Sequence, residues 1–420
     1  MRSSLLVALG SVLGLALPSC TDTLEPLTGT QSIEVELLSP STTGDVNNRL
    51  GETEHTVVVN LRAKDATNAV DTSFSGDIRV YAQFLGTLTP SLEQQPLATI
   101  PMTGGVALNQ TITLPPSVLS STTLWFDNGT GLGPEYQYGA VTGTSPTLWY
   151  REPFIADLQR PRDETALDAL SATPLQDKQI RVEASRHGER GAMVVTSTFA
   201  QGYTVSDVQC ATGGAMPTPL CTTPPAQDGI VGYDHMMVFT FSSPRDQHGG
   251  PLQVGEVIQS FAGGLSEFNG LTEIGFPRTF IATPDRETPP YVDRALLPAP
   301  VLFSMTWFEP LSNPDGRINF ERNEAGPIEM RNVKVCPLDD GPEGVYTRFK
   351  QWTIDPSPTG TGCATNKVIN LITAGTDFTT DPATLVGRTL PRVVGIVRPV
   401  SIGAFNVWIV FPRGADDVTL

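Results

Sequence analysis

The residues able to do chemistry in this 420-residue chain are few and scattered. Its four histidines, His55, His187, His235 and His248, stand in separate settings, so any triad would have to be assembled from loops. A serine nucleophile at a strand-to-helix elbow needs Gly-x-Ser-x-Gly, where the flanking glycines permit the strained turn that exposes the hydroxyl. No such elbow occurs, and Gly143-Thr144-Ser145-Pro146 reads as a turn. Zinc would need histidines a few residues from a cysteine pair, and none is so placed. Asp127-Asn128-Gly129-Thr130-Gly131 presents oxygens, but without the spacing and bidentate Glu of a calcium loop. It reads as a turn, as do Asp339-Asp340-Gly341 and Asp416-Asp417. No catalytic residue, metal ligand or cofactor site is therefore assigned, and the chain is not read as an enzyme.

Cysteine is the exception. The chain opens Met-Arg-Ser-Ser, runs apolar from Leu5 to Leu17, and continues Pro18-Ser19-Cys20. One positive charge, a short apolar core and a small residue before the cut are the parts of a secretory signal. The core falls short of the about 20 apolar residues that span a bilayer. Leu17-Pro18-Ser19-Cys20 resembles the bacterial lipobox, with Pro18 an unusual occupant of its second position. The resemblance implies cleavage before Cys20, a diacylglycerol on its thiol and a further acyl chain on its freed amine. Each buried methylene contributes about 0.8 kcal/mol, so several chains hold a protein durably. In such lipoproteins an Asp directly after the Cys favours inner-membrane retention. Thr21 stands there instead, which implies the outer membrane. Residues 1–19 are then signal and 20–27 a polar tether.

With Cys20 set aside, Cys210, Cys221, Cys336 and Cys363 remain. An oxidising compartment favours pairing, and nearest neighbours give Cys210–Cys221 and Cys336–Cys363. Each bond then closes a loop inside one presumed domain, whereas the other connectivities cross a boundary.

Composition argues for strands. Charged residues make up only 17%, and 39 Gly and 36 Pro are set among short Val, Ile and Thr runs. The best helical candidate, Glu164 to Ser171, is short, with Leu167 and Leu170 three apart. A net charge of −17 repels phosphate backbones and makes nucleic acid a disfavoured partner.

Residues 28–150 carry period-two runs at Ser32 to Leu38, Thr56 to Lys64 and Gly76 to Phe84. Others follow at Val106 to Leu114, Ser121 to Phe126 and Thr147 to Tyr150. Alternation puts one face on a core and the other in water, as a sandwich requires. Val57 to Asp65, followed by Phe74-Ser75-Gly76-Asp77-Ile78, resembles bacterial Ig-like surface domains.

Residues 151–302 and 303–420 resemble OB-like modules of secreted bacterial proteins. In the first, the resemblance rests on Met193 to Thr196 leading to Gly202-Tyr203-Thr204-Val205-Ser206-Asp207. It is stronger in Gly255-Glu256-Val257 through Glu267-Phe268-Asn269-Gly270-Leu271-Thr272-Glu273-Ile274, where Glu256 replaces a common Asp. In the second it rests on Gly326 to Val335, on Arg392 to Arg398, and on Val407-Trp408-Ile409-Val410-Phe411-Pro412-Arg413 with Asp416-Asp417. The expected fold is all-β, an Ig-like β-sandwich followed by two OB-like β-barrels. OB barrels bind oligomers across an open face with stacking aromatics. Trp307, Trp352 and Trp408 are read as either core or binding-face residues, with Trp408 in an apolar run.

The function expected is that of a lipid-anchored envelope lipoprotein, a non-enzymatic binding or structural module for protein or glycan. A hydrolytic or accessory factor for extracellular polymers and a pure spacer are the alternatives. Intact-mass measurement of membrane and soluble fractions should find a lipidated chain starting at Cys20, and C20A should release the protein from the membrane. A soluble wild-type chain with Cys20 unmodified or absent would sink the anchor.

Overall fold

The structure, a computed structural model, describes residues 29–86, 95–129, 141–165, 173–184, 191–210, 221–222, 232–281, 292, 294–402 and 405–420. The signal segment, Cys20 and most of the expected helix at 164–171 lie outside the described residues.

Eight strands form the first unit: β1 (Ser32–Ser39), β2 (Thr56–Lys64), β3 (Gly76–Gln83), β4 (Ala98–Met102), β5 (Val106–Thr113), β6 (Ser121–Asp127), β7 (Thr142–Thr144) and β8 (Leu148–Trp149). One sheet runs β1-β2-β5, and the other runs β4-β3-β6-β7 with β8 on β6. This is the Ig-like sandwich, three strands facing five. Val57, Val59, Leu61 and Ala63, alternate residues of β2, are fully buried and meet Ile78, Val80, Leu124 and Phe126 from the facing sheet. The open edges of β1 and β7 meet at Gly143, where a Cβ would sit 2.1 Å from the Ile33 carbonyl oxygen.

A short helix, α1 (Ile155–Gln159), leads to the second unit, built from β9 (Gln179–Glu183), β10 (Gly191–Phe199), β11 (Gly202–Cys210), β12 (Cys221–Thr222), β13 (His235–Phe239), β14 (Val257–Phe268) and β15 (Leu271–Ile281). The barrel runs β10-β11-β13-β15-β14 and closes through β10–β14. Its β13–β15 pair is parallel and the other pairs along this path are antiparallel. First, second, third, fifth, fourth and back to first is the strand path of the five-stranded Greek-key OB barrel. Phe84 and Leu85 of the sandwich pack on its core, and the Lys178 ammonium lies 4.4 Å from the centre of the Phe84 ring.

The third unit repeats that path. Its elements are β16 (Val301–Leu302), α2 (Ile318–Arg322), β17 (Pro327–Val335), α3 (Val345–Phe349), β18 (Gln351–Asp355), α4 (Gly362–Thr365), β19 (Ile369–Ile372), β20 (Thr389–Ile402), β21 (Phe405–Phe411) and β22 (Val418–Thr419). Strands β17-β18-β19-β21-β20 close through β17–β20, with β19–β21 parallel. All three tryptophans singled out above are committed to this core. Trp352 is 1% and Trp307 5% exposed, while Trp408 stacks on Phe320 at 5.3 Å and 13°. Trp352 also donates its Nε1–H to Thr373 Oγ1 at 3.3 Å, satisfying the one polar atom it buries.

Cys336 and Cys363 form a disulfide across a sequence separation of 27, joining the end of β17 to α4. Asp355 holds the same corner. Burial pushes its carboxyl up, but hydrogen bonds from Ser357, Gly362 and Cys363 outweigh that and keep it below the usual range. In the second unit, β12 pairs with β11 so that Cys221 and Cys210 face each other in register; their side chains lie outside the described residues. Replacing Cys336 and Cys363 together by Ser should cost about 2–4 kcal/mol, the loop-closure value for this separation, read by chemical denaturation. An unchanged midpoint would assign the corner to Asp355 alone.

Candidate functional site

Alternation along the second unit's strands divides its residues cleanly. Val195, Tyr203, Val205, Met236 and Val238 point into the barrel, which leaves Thr196, Thr204, Ser206, His235 and Met237 on the outside. That outer face, on the second and third strands, is where OB barrels lay their ligands. Here it is covered by the protein itself. Leu296 and Leu297 pack on Val194 and Val208, and Ala325 packs with Met237, Leu271 and Phe199.

The cover is the segment that leaves α2 and enters β17. Tyr233 N–H donates to the Arg322 carbonyl at 2.7 Å, and Thr272 N–H donates to Glu324 Oε1 at 2.9 Å. Gly326 lies flat on the His235 imidazole, and a Cβ there would stand 2.1 Å from Cδ2 and 2.4 Å from Nε2. Farther along the seam, Ser401 N–H donates to the Asn269 carbonyl at 2.8 Å. The Arg398 guanidinium sits 3.7 Å from the centre of the Phe411 ring and 5.4 Å from that of Phe199, with Glu273 beside it. These contacts dock the two barrels against one another.

Chemistry-bearing groups collect in the seam. Ser206 Oγ and His235 Nδ1 are 2.6 Å apart, a pair that no sequence motif announces. Both are sealed, with Ser206 fully buried and His235 2% exposed. Burial lowers His235 to about 4, so the imidazole is neutral through the ordinary pH range. Asp234 goes the other way, raised to about 8 by burial and by the neighbouring Asp207. Glu321 and Glu324 are likewise pushed up by burial, and each is further raised by nearby carboxylates. Of the other two described histidines, His55 lies edge-on to Tyr150 at 4.7 Å, and the exposed His248 donates its backbone N–H to Asp246. His187 lies outside the described residues. Among the described residues no three His, Cys, Asp or Glu side chains are disposed to hold a metal.

The aspartates singled out in the sequence do structural work. Asp127 Oδ1 accepts from Arg79 Nε and Nη2 at 3.0 and 2.8 Å and from Gly129 N–H at 2.8 Å. Asp417 takes Arg413 through both oxygens, at 2.8 and 2.7 Å. Asp339 accepts from Val345 N–H at the entry to α3.

Beyond the seam, the outer row of β13 continues into the open. Phe239 meets Phe241 edge-on at 4.6 Å, and Phe241 lies 4.9 Å from Phe276. Phe241 is 57% and Phe276 79% exposed, and both adopt positive φ, at 58° and 51°. A bulky residue in the left-handed region is an outlier held by its surroundings. Two such residues carry phenyl rings outward from one barrel edge. A cleft of about 900 Å³ opens elsewhere, beside α1, but its Arg151 and Arg160 are engaged by Asp157 and Glu164. A shallower one of about 270 Å³ lies between Tyr346 and Phe378 on the third unit.

Comparison with protein families, with curated proteins and with solved structures finds no match to this chain.

Gly326→Ala should force the barrels apart at His235 and lower stability by about 1–3 kcal/mol, the usual cost of overpacking, measured by urea denaturation. Wild-type stability in that variant would mean the seam has room the geometry denies it.

Proposed function

We propose that the protein is a lipid-anchored envelope module that binds a protein partner rather than converting a substrate. Anchoring would come from Cys20 and its lipobox-like context and would hold the three β units at the membrane surface. The observation that carries the binding reading is the Phe239–Phe241–Phe276 patch, two of whose rings are held outward by strained backbone. Exposed aromatic clusters of this kind mark interaction sites, because water solvates them poorly. Three phenyl rings offer no hydrogen-bonding atom. They therefore suit a partner's apolar side chains better than a sugar, whose hydroxyls would be left without partners. The hydrolytic alternative would need Ser206 and His235 open to substrate, whereas both are buried and Gly326 of the third unit lies on His235.

The test compares wild-type protein with F241S/F276S for binding to detergent-solubilised envelope proteins and to purified peptidoglycan sacculi. Leu108→Ser, at an exposed position on the sandwich, serves as control. The double variant should lose about tenfold or more in affinity for a discrete envelope protein, since each stacking aromatic contributes about 1 kcal/mol. Loss on sacculi alone would turn the reading to glycan, and no loss on either would leave a spacer.

A further inference from the structure

The seam between the barrels holds more carboxyl groups than it can neutralise. Glu321 at the end of α2 and Glu324 just beyond it are 6% and 2% exposed, and they face Glu267 at the tip of β14. Glu267 is already occupied, accepting from Thr272 Oγ1 at 2.7 Å and from Thr173 N–H at 3.3 Å. One oxygen of Glu324 accepts from Thr272 N–H. Its other oxygen lies beside the Gln159 side chain without a well-formed hydrogen bond, and Glu321 Oε2 and the amide oxygen of Gln159 are buried with no hydrogen-bond partner. Gln159 is not free to turn, because its amide nitrogen donates to the His235 carbonyl at 2.6 Å. Of the surrounding cations, Arg322 reaches Glu164 at 3.5 Å and the Pro314 carbonyl at 3.2 Å and buries an Nε with no hydrogen-bond partner, and Arg398 is held between Phe411, Phe199 and Glu273.

Buried acceptors facing acceptors are tolerable only when one of them carries a hydrogen. A metal ion would be one remedy, but among the described residues no donor set is arranged for one. A proton is the other. A protonated carboxyl becomes a donor and sheds the charge that burial penalises most.

We propose that the seam is a proton-operated latch, in which Glu321 and Glu324 dock against Glu267 as neutral acids and release their protons to solvent when the barrels part. Opening would uncover the outer row of β13, with His235 and Met237, the face an OB barrel uses for ligands. The latch thus governs access to a surface that the docked protein hides.

The other groups in the seam fix the pH window. Burial raises Glu267 as well, and raises Glu273 to about 7 with Glu267 adding and Arg398 opposing. Asp234, paired with Asp207, stands at about 8. Burial also raises Tyr233, which stays protonated throughout. For each carboxyl the docked state binds its proton more tightly than the open state. Its stabilisation is complete below the ordinary value of 4.5 for Glu or 3.8 for Asp, and is lost as pH climbs through the docked value. His235 acts in the opposite sense, its contribution complete above 6.5 and lost as pH falls toward 4. From about pH 7 upward His235 is mostly neutral whether the seam is closed or open, and the carboxyls dominate the slope.

Hydrogen–deuterium exchange of the full chain reads this directly. The Thr272 amide, bonded to Glu324 across the seam, reports opening, and the β17 amides inside the third unit supply a reference for intrinsic exchange and global unfolding. Between about pH 7 and 8 the opening constant at Thr272 should rise about tenfold per pH unit for each proton released, while β17 stays protected. E321Q/E324Q keeps the neutral shape without the proton and should flatten that slope by one proton or more. Thr272 protection that does not change with pH in the wild type would overturn the latch, and the wild-type measurement decides even if the variant fails to fold. An equal slope in a folded variant would overturn it too.

Discussion

A carboxyl group sealed away from water needs a counter-charge, a set of donors or a proton, and the seam between the barrels is built around that requirement. Its two arginines reach other partners, and Glu267 and Glu324 share two backbone amides and one threonine hydroxyl. The docking of the third unit on the second, the burial of the Ser206–His235 pair and the hidden state of the outer β13 face all depend on those acids being accommodated. Were they ionised in place, desolvation of unpaired charge would exceed anything the Ala325–Met237–Leu271 contact could offset.

The same geometry separates this chain from a barrel that binds oligomers in the usual way. An OB barrel leaves its second and third strands open, whereas here the chain lays 322–326 and Leu296–Leu297 over them. What stays exposed is the edge, where Phe239, Phe241 and Phe276 prolong the covered row. One strand therefore serves two purposes along its length. Its start is an internal joint and its end an outward surface, and the boundary between them is set by where Gly326 lies on His235. The third unit keeps its own aromatics inward: Phe303, Trp307 and Phe320 form a T-shaped and tilted cluster, and Trp408 stacks on it, so this barrel is closed by its own side chains.

Much of the fold was legible. Period-two runs located β1, β2, β3, β5 and β6 to within a residue or two, because a half-buried strand writes its burial into every second position. In the first unit two strands escaped: β4 carries a proline at Pro101 that weakens the strand signal, and β7 is three residues long with a central glycine; β18 and β19 of the third unit escaped as well. The stretch from Gly255 to Ile274 is a hairpin that turns at Asn269-Gly270. Its second strand continues to Ile281 beyond that stretch.

The sequence by itself determined the class, the order of the three units, the cysteine partnership of Cys336 with Cys363 and several of the strands that build each barrel. These are consequences of local patterning, of turn chemistry and of short chain separations. It did not determine which barrel face would be covered, that Trp408 would lie on Phe320, or that Ser206, His235, Glu267, Glu321 and Glu324 would share one seam. Those residues are up to 118 positions apart from Ser206 to Glu324, and nothing in their local spacing distinguishes them from ordinary strand and turn residues. Only the docking of two closed barrels brings them together, and burial is what gives them their chemistry, since a carboxyl or an imidazole acquires an altered proton affinity from the water it has lost.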